Sequence, residues 1–347
     1  MRLRSLLVLG AAAVIVLAGC TAEPAPNPEP TTSPSVSETS TPTPAPEPIT
    51  APEPAFDVTC DDVAAEMAAL VGEPSTPVEP VLSIVSTMGW IPGPAQYMFQ
   101  RAGGIACSAG DEARNWEVTI VPDAQAVIEG ATERQGYDGE QSTCGAGMCS
   151  FEFPDGDVLL SAIVYDPALT AADSARADEA MRRLAAAAAT TVHDVDQVDS
   201  DIVGAPCERF ITEQQVSELV GEEAALFNDF GGWGIPAEVY QVVNGSRICY
   251  FTSAGGDLGS ISSHLMITAL PAGAWAFDTL TGTPTEVEGA DAAKASTGVH
   301  GESILDVRVG MDWVRVMTYD DGSGASDPSP FAAAAVRSLT IGQPAPQ

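Results

Sequence analysis

CDDVAAEMAALVG at residues 60–72 and CERFITEQQVSELVG at residues 207–221 decide how this chain is read. Each opens on a cysteine, runs as an amphipathic helix, and closes on the same words, Leu70-Val71-Gly72 and Leu219-Val220-Gly221. Glycine just past the last turn is where a left-handed C-cap is wanted. Thr212-Glu213-Gln214-Gln215 also carries the reciprocal capping box that starts a helix. Working outward, the same order of features continues in both halves, as a module written twice. Gly89-Trp90-Ile91-Pro92 answers to Gly232-Trp233-Gly234-Ile235-Pro236, and a tyrosine follows each, Tyr97 and Tyr240. A strand ending in a turn then leads to a second cysteine, Cys107 or Cys249, and Asn244-Gly245 reads as a hairpin turn.

Trp116, Val118 and Ile120 alternate in the next strand of the first half, and Leu265, Ile267 and Ala269 do so in the second. Each strand ends in a proline, Pro122 or Pro271, before a short helix. A hairpin follows: 149–153 turns at Pro154-Asp155-Gly156 into 158–165, and 304–309 turns at Gly310-Met311-Asp312 into 313–319. Helices at 170–189, with Asp173 completing a capping box on Thr170, and at about 328–339 close the two halves. Strands clustered between helices predict an α+β fold. The expectation is two tandem homologous domains, each an antiparallel sheet with helices packed on one face. They span 55–192 and 203–342, with a linker at 193–202 and a tail at 343–347.

The repeat assigns the cysteines. The second half holds only Cys207 and Cys249, which pair if that half is self-contained. By analogy Cys60 pairs with Cys107, and Cys144 and Cys149 close a tight Gly-Ala-Gly-Met loop. An even set of six in an exported chain favours disulfides over metal.

Export is read from the N-terminus. Arg2 and Arg4 precede an uncharged apolar run at 6–17, too short for a comfortable membrane span of ~20 residues. Leu17-Ala18-Gly19-Cys20 resembles the lipobox of bacterial lipoproteins, which implies cleavage after residue 19 and a diacylglyceryl-lipidated, palmitate-bearing Cys20. Residues 21–54 are nearly all Pro, Thr, Ser, Glu and Ala and read as a disordered stalk. The net charge of −34 argues against nucleic acid as a partner and against docking on anionic lipid by charge.

Chemistry-bearing words are scarce. No Gly-x-Ser-x-Gly word and no Gly-x-x-x-x-Gly-Lys loop occurs. His193, His264 and His300 stand apart and do not repeat between halves, so neither a zinc site nor a catalytic histidine is expected. Asp320-Asp321-Gly322-Ser323-Gly324 with Asp327 reads as a solvated loop, its spacing unlike a calcium-binding hand. Trp90 and Trp233, matched in both halves, are the candidate ligand contacts. Trp313 and Arg315 share one strand face, as a cation–aromatic patch or as packing against the last helix.

Lipobox, Pro/Thr stalk, a Cys before a Leu-Val-Gly helix and a second Cys on a strand resemble small secreted lipoproteins of actinobacteria. The layout is similar to the disulfide-stapled extracellular sensor domains of some mycobacterial serine/threonine kinases. Gly289-Ala290-Asp291-Ala292-Ala293 and the hairpin through Val307-Arg308-Val309-Gly310 and Trp313-Val314-Arg315-Val316 carry the same likeness. The resemblance implies α+β domains at the cell envelope and transfers no catalytic residue. The expected function is a membrane-anchored, extracytoplasmic lipoprotein whose tandem non-catalytic domains bind an envelope ligand or protein, without a cofactor. The alternatives are an envelope hydrolase using unmarked carboxylates, or a purely structural envelope protein.

Overall fold

Thr59 accepts a hydrogen bond from the Asp62 backbone while Asp62 reaches back to the Thr59 N–H, and this cap starts α1 (Cys60–Val71). Val63, Met67 and Leu70 recur at helical spacing and are buried, so one stripe faces the core. α5 (Glu213–Val220) starts on the expected Thr212–Gln215 box and ends on Gly221 in the left-handed conformation. This computed structural model describes residues 49–82, 93–227, 233–255, 262–319 and 326–341.

The first half forms β1 (Ile105–Gly110), β2 (Asn115–Pro122), β3 (Gln141–Gly145), β4 (Met148–Asp155) and β5 (Val158–Tyr165). They make one sheet in the order β1-β2-β5-β4-β3. The second half adds β6 (Ala224–Phe227), β7 (Ile248–Ser253), β8 (Ser263–Leu270), β9 (Thr283–Thr285), β10 (Ala292–Thr297), β11 (Ser303–Val309) and β12 (Asp312–Thr318). Their order is β6-β7-β8-β12-β11-β10-β9, and every pairing in both sheets is antiparallel. Without the edge strands β6 and β9, the second order reproduces the first strand for strand. The fold is α+β with two separate antiparallel sheets.

Helices cover one face of each sheet, as the alternation of the strands requires. Val118, Ile120, Phe151, Phe153 and Leu160 pack under α1 and α4 (Ser174–Thr191), which contributes Met181 and Leu184. Ile267, Leu305, Val307, Val314 and Val316 pack under α5 and α8 (Ser329–Thr340), which contributes Phe331, Val336 and Leu339. Each such side chain taken out of water stabilises the fold by roughly 1.5–3 kcal/mol. Disulfides pin these helical ends to the sheets. Cys60–Cys107 ties the start of α1 to β1, and Cys207–Cys249 ties the turn before α5 to β7, each with Cα atoms 5.5 Å apart. Cys144–Cys149 closes the β3–β4 turn.

The other face of each sheet is covered too. A 3₁₀ turn (Pro94–Tyr97) leads into α2 (Met98–Arg101), and α6 (Ile235–Glu238) leads into a π-helical turn (Val239–Val243). The strand expected before each second cysteine is therefore helical over these residues. Asn244-Gly245 ends the helical segment instead of turning a hairpin: the Asn244 N–H bonds the Val239 carbonyl, and Gly245 takes φ 60°. An Asn-Gly pair suits a helix end as well as a hairpin, because both want a left-handed residue.

These segments, with α3 (Ala124–Glu133), fill the space between the sheets. Met98, Phe99, Val127, Val239 and Tyr240 are buried there with Val121 and Leu159 of the first sheet and Met266, Ile304 and Met317 of the second. The halves thus share a core, and the described residues belong to one compact unit. Residues 193–202, which join the halves, carry neither helix nor strand.

Candidate functional site

Arg101, the last residue of α2, is 3% exposed at the seam between the halves. Its Nε donates to the Pro271 carbonyl at 2.7 Å, its Nη1 to Gln197 Oε1 at 2.7 Å and its Nη2 to the Val198 carbonyl at 3.1 Å. One guanidinium so holds the connecting segment against the first half and the β8 end. Burial pulls its pKa below the ordinary arginine value, against the opposing pull of the Asp312 and Asp199 charges. Asp312, the first residue of β12, is also buried. Its Oδ1 accepts from Ser200 Oγ at 2.6 Å and from the Ala272 N–H at 2.7 Å. Burial pushes this carboxyl above the usual range, and the neighbouring Asp201 charge adds to the rise.

Arg101, Asp312 and Asn244 are the buried polar lining of a cleft of about 640 Å³ that opens along the seam. Small-molecule sites fall in the range of roughly 300–1,000 Å³ and favour such junctions. Asn244 is 1% exposed; its Nδ2 donates to the Met98 carbonyl at 2.8 Å, and its Oδ1 has no hydrogen-bond partner. The rim has a different character. Val198, Val203 and Met311 line it with 48%, 49% and 38% of their surface exposed, and Val242 stands beside the lining residue Val243. Three of the nine most exposed large apolar side chains among the described residues therefore gather at this one place. Such clustering marks an interaction site, where scattered exposure would mean nothing.

Trp233 is half-buried in a contact between the halves. Its indole Nε1 donates to Glu238 Oε2 at 3.0 Å, and the Arg134 guanidinium lies 5.6 Å above its ring. Glu238, 2% exposed, pairs with Arg134 at 2.9 Å. Gly136 abuts the Trp233 ring and Gly130 abuts the Glu238 carboxylate so closely that a Cβ at either would overlap its neighbour. The polar atom and one ring face of Trp233 are therefore engaged within the chain. Trp90, Cys20 and the 320–324 loop lie outside the described residues; Asp327 accepts the Ser329 N–H at 2.9 Å.

Trp313 and Arg315 do share a strand face, with the guanidinium 5.5 Å from the ring. That face is buried and turned away from α8. Asp306 accepts from Trp313 Nε1 at 2.8 Å and from Arg315 Nε and Nη2 at 2.7 and 2.9 Å. Tyr97 of the first half packs edge-on against Trp313, and a Cβ on Gly93 would come within 2.6 Å of the Arg315 guanidinium. This is a contact between halves, neither an exposed patch nor packing on the last helix. Lys294 donates to the carbonyls of Phe277, Asp278 and Leu280 and so caps α7 (Ala274–Thr279).

His193 and His300 are exposed; His264 lines a smaller cleft of about 350 Å³, its Nε2 3.4 Å from Glu222. Among the described residues no group of three or more His, Cys, Asp or Glu gathers as a metal site. Nothing local in the sequence marks the seam cleft. Arg101 has no acidic partner nearby in sequence, and Asn244 and Asp312 both read as turn residues. In comparisons with known proteins, no family model, no curated protein and no solved structure matches this chain.

Proposed function

We propose that this chain is a lipid-anchored, extracytoplasmic binding protein whose two halves together build one non-catalytic ligand site. The observation that carries this reading is the seam cleft, where exposed Val198, Val203 and Met311 surround buried Arg101, Asn244 and Asp312. A cleft at a junction, with apolar side chains beside convergent buried polar groups, suits small-molecule recognition. The three disulfides suit an oxidising compartment, in keeping with the export signal and lipobox-like words that end at Cys20.

The test is thermal melting of the full chain, purified in detergent, against calcium, muropeptides, glycans, lipids, amino acids and amines. A ligand at a hundred times its dissociation constant stabilises the fold by about 2.7 kcal/mol. The expected result is a saturable shift with one ligand class that disappears in Met311→Asp. A flat panel, or a shift unchanged by Met311→Asp, overturns the assignment of the site. Anchoring is tested separately: Cys20→Ser should move the protein from the membrane fraction to the medium.

A further inference from the structure

The chemistry of the seam cleft selects among ligands, a step that rests on this cleft being the binding site proposed above. Its charged and amide side chains fall into two groups. The one cationic donor is spent: the Arg101 guanidinium aims its N–H groups at Pro271, Gln197 and Val198. The acceptors are in excess. Asp199, Asp201 and Asp312 line the cleft, three carboxylates against the single arginine. Both hydrogen bonds to Asp312 fall on its Oδ1. Asn244, nine-tenths buried and more, presents an Oδ1 that accepts from nothing, since its Nδ2 is the atom held by Met98. A buried acceptor without a donor costs on the order of 1–3 kcal/mol. A ligand that supplies N–H donors removes that cost.

Charge points the same way. The Asp201 charge disfavours the ionised form of Asp312, and a cation placed beside the two relieves that repulsion. A charge of −34 over the whole chain draws cations toward all its surfaces. The rim narrows the choice. A hydrated inorganic cation gains nothing from Val198, Val203 and Met311, whereas a cation on an alkyl stem buries its stem there.

We propose that the seam cleft binds an organic cation, a primary ammonium or guanidinium carried on an apolar stem. The head group sits against Asp201, Asp312 and the Asn244 Oδ1, and the stem lies along Val198, Val203 and Met311. A free alkylamine and a lysine side chain of a peptide share this chemistry.

Calorimetric titration of the full chain in detergent separates the possibilities, using n-hexylamine, Nα-acetyl-lysine amide, n-hexanol and hexanoate as probes. The expected result is saturable binding of the two cations, at least tenfold tighter than of hexanol, with hexanoate weakest. Tighter binding of the lysine amide assigns the source to a peptide; tighter hexylamine assigns it to a free amine. Asp201→Asn should weaken the cation about threefold and Asp199→Asn with Asp201→Asn about tenfold, as for partly exposed charge pairs. Equal binding of hexanol and hexylamine, lost in Met311→Asp, overturns the cationic assignment while leaving the cleft as the site. Cation binding unchanged in the aspartate variants also overturns it, since the cation is then held by the general surface charge. No binding by any of the four, beside a flat panel of larger ligands, overturns both readings.

Discussion

The outer and inner faces of the two sheets are built on different principles. The outer faces are apolar and local: α1 and α4 cover the first sheet, α5 and α8 the second, and each half pins its own first helix with its own disulfide. The inner faces meet in a shared layer that includes ion pairs between or beneath the halves, Arg134–Glu238 and Arg315–Asp306. An apolar face tolerates many partners of similar volume. A buried ion pair tolerates few, because a lost partner strands a charge. The outer faces therefore hold each half together, and the inner layer decides how the halves fit.

Four measurements break or sharpen this contrast. Arg315→Met strands Asp306, 1% exposed, and should destabilise the chain by roughly 3–5 kcal/mol. Because Arg315 abuts Gly93, hydrogen exchange should quicken in both sheets; quickening confined to the second sheet would break the idea of a shared layer. Removing Cys207–Cys249 as a double alanine variant releases a 42-residue separation and should cost about 4 kcal/mol, whereas removing Cys144–Cys149 should cost about 2. Here exchange should quicken mainly in the half that loses its bridge. Thr212→Ala removes one reciprocal cap from α5 and should cost about 1 kcal/mol by denaturant unfolding.

The smallest effect is a dependence on pH. Glu152 stands on β4 between Phe151 and Phe153, which point outward into the first core, so its own side chain takes the inner side. Burial pushes its carboxyl from 4.5 up to about 7. An acid whose folded pKa is raised contributes stability that is fully present below 4.5 and is lost as pH rises to about 7. Glu152→Gln should flatten that part of the Tm–pH profile and raise Tm at pH 8 relative to the parent. An unchanged slope between pH 4.5 and 7 would remove Glu152 as its source.

Legibility in the sequence is a matter of range. The Leu70-Val71-Gly72 and Leu219-Val220-Gly221 endings, the Thr212 and Asp173 boxes, and the 158–165 and 304–309 strands are set by neighbours within a few residues. The edge strands β6 and β9 escape a reading of the sequence because three or four residues carry little periodicity. Asn244-Gly245 misleads because its local preference fits two structures, and packing between the sheets chose the helical one.

Local and repeated signals were enough for the main helices and hairpins, the three cysteine pairs and the α+β class, since capping, alternation and a twofold word order need no distant partner. The tertiary structure alone decided which faces the halves present to each other, and with them the seam cleft. Arg101 finds its partners at Gln197, Val198 and Pro271, and Asn244 finds Met98, across distances in the chain that no local pattern spans. Trp233 shows the same limit: its repeated position made it a candidate ligand contact, and only the packed fold supplied Glu238 and Arg134 as what it touches within the chain. Those pairings depend on desolvation, which no single stretch of sequence contains and which arises when two distant surfaces close on each other.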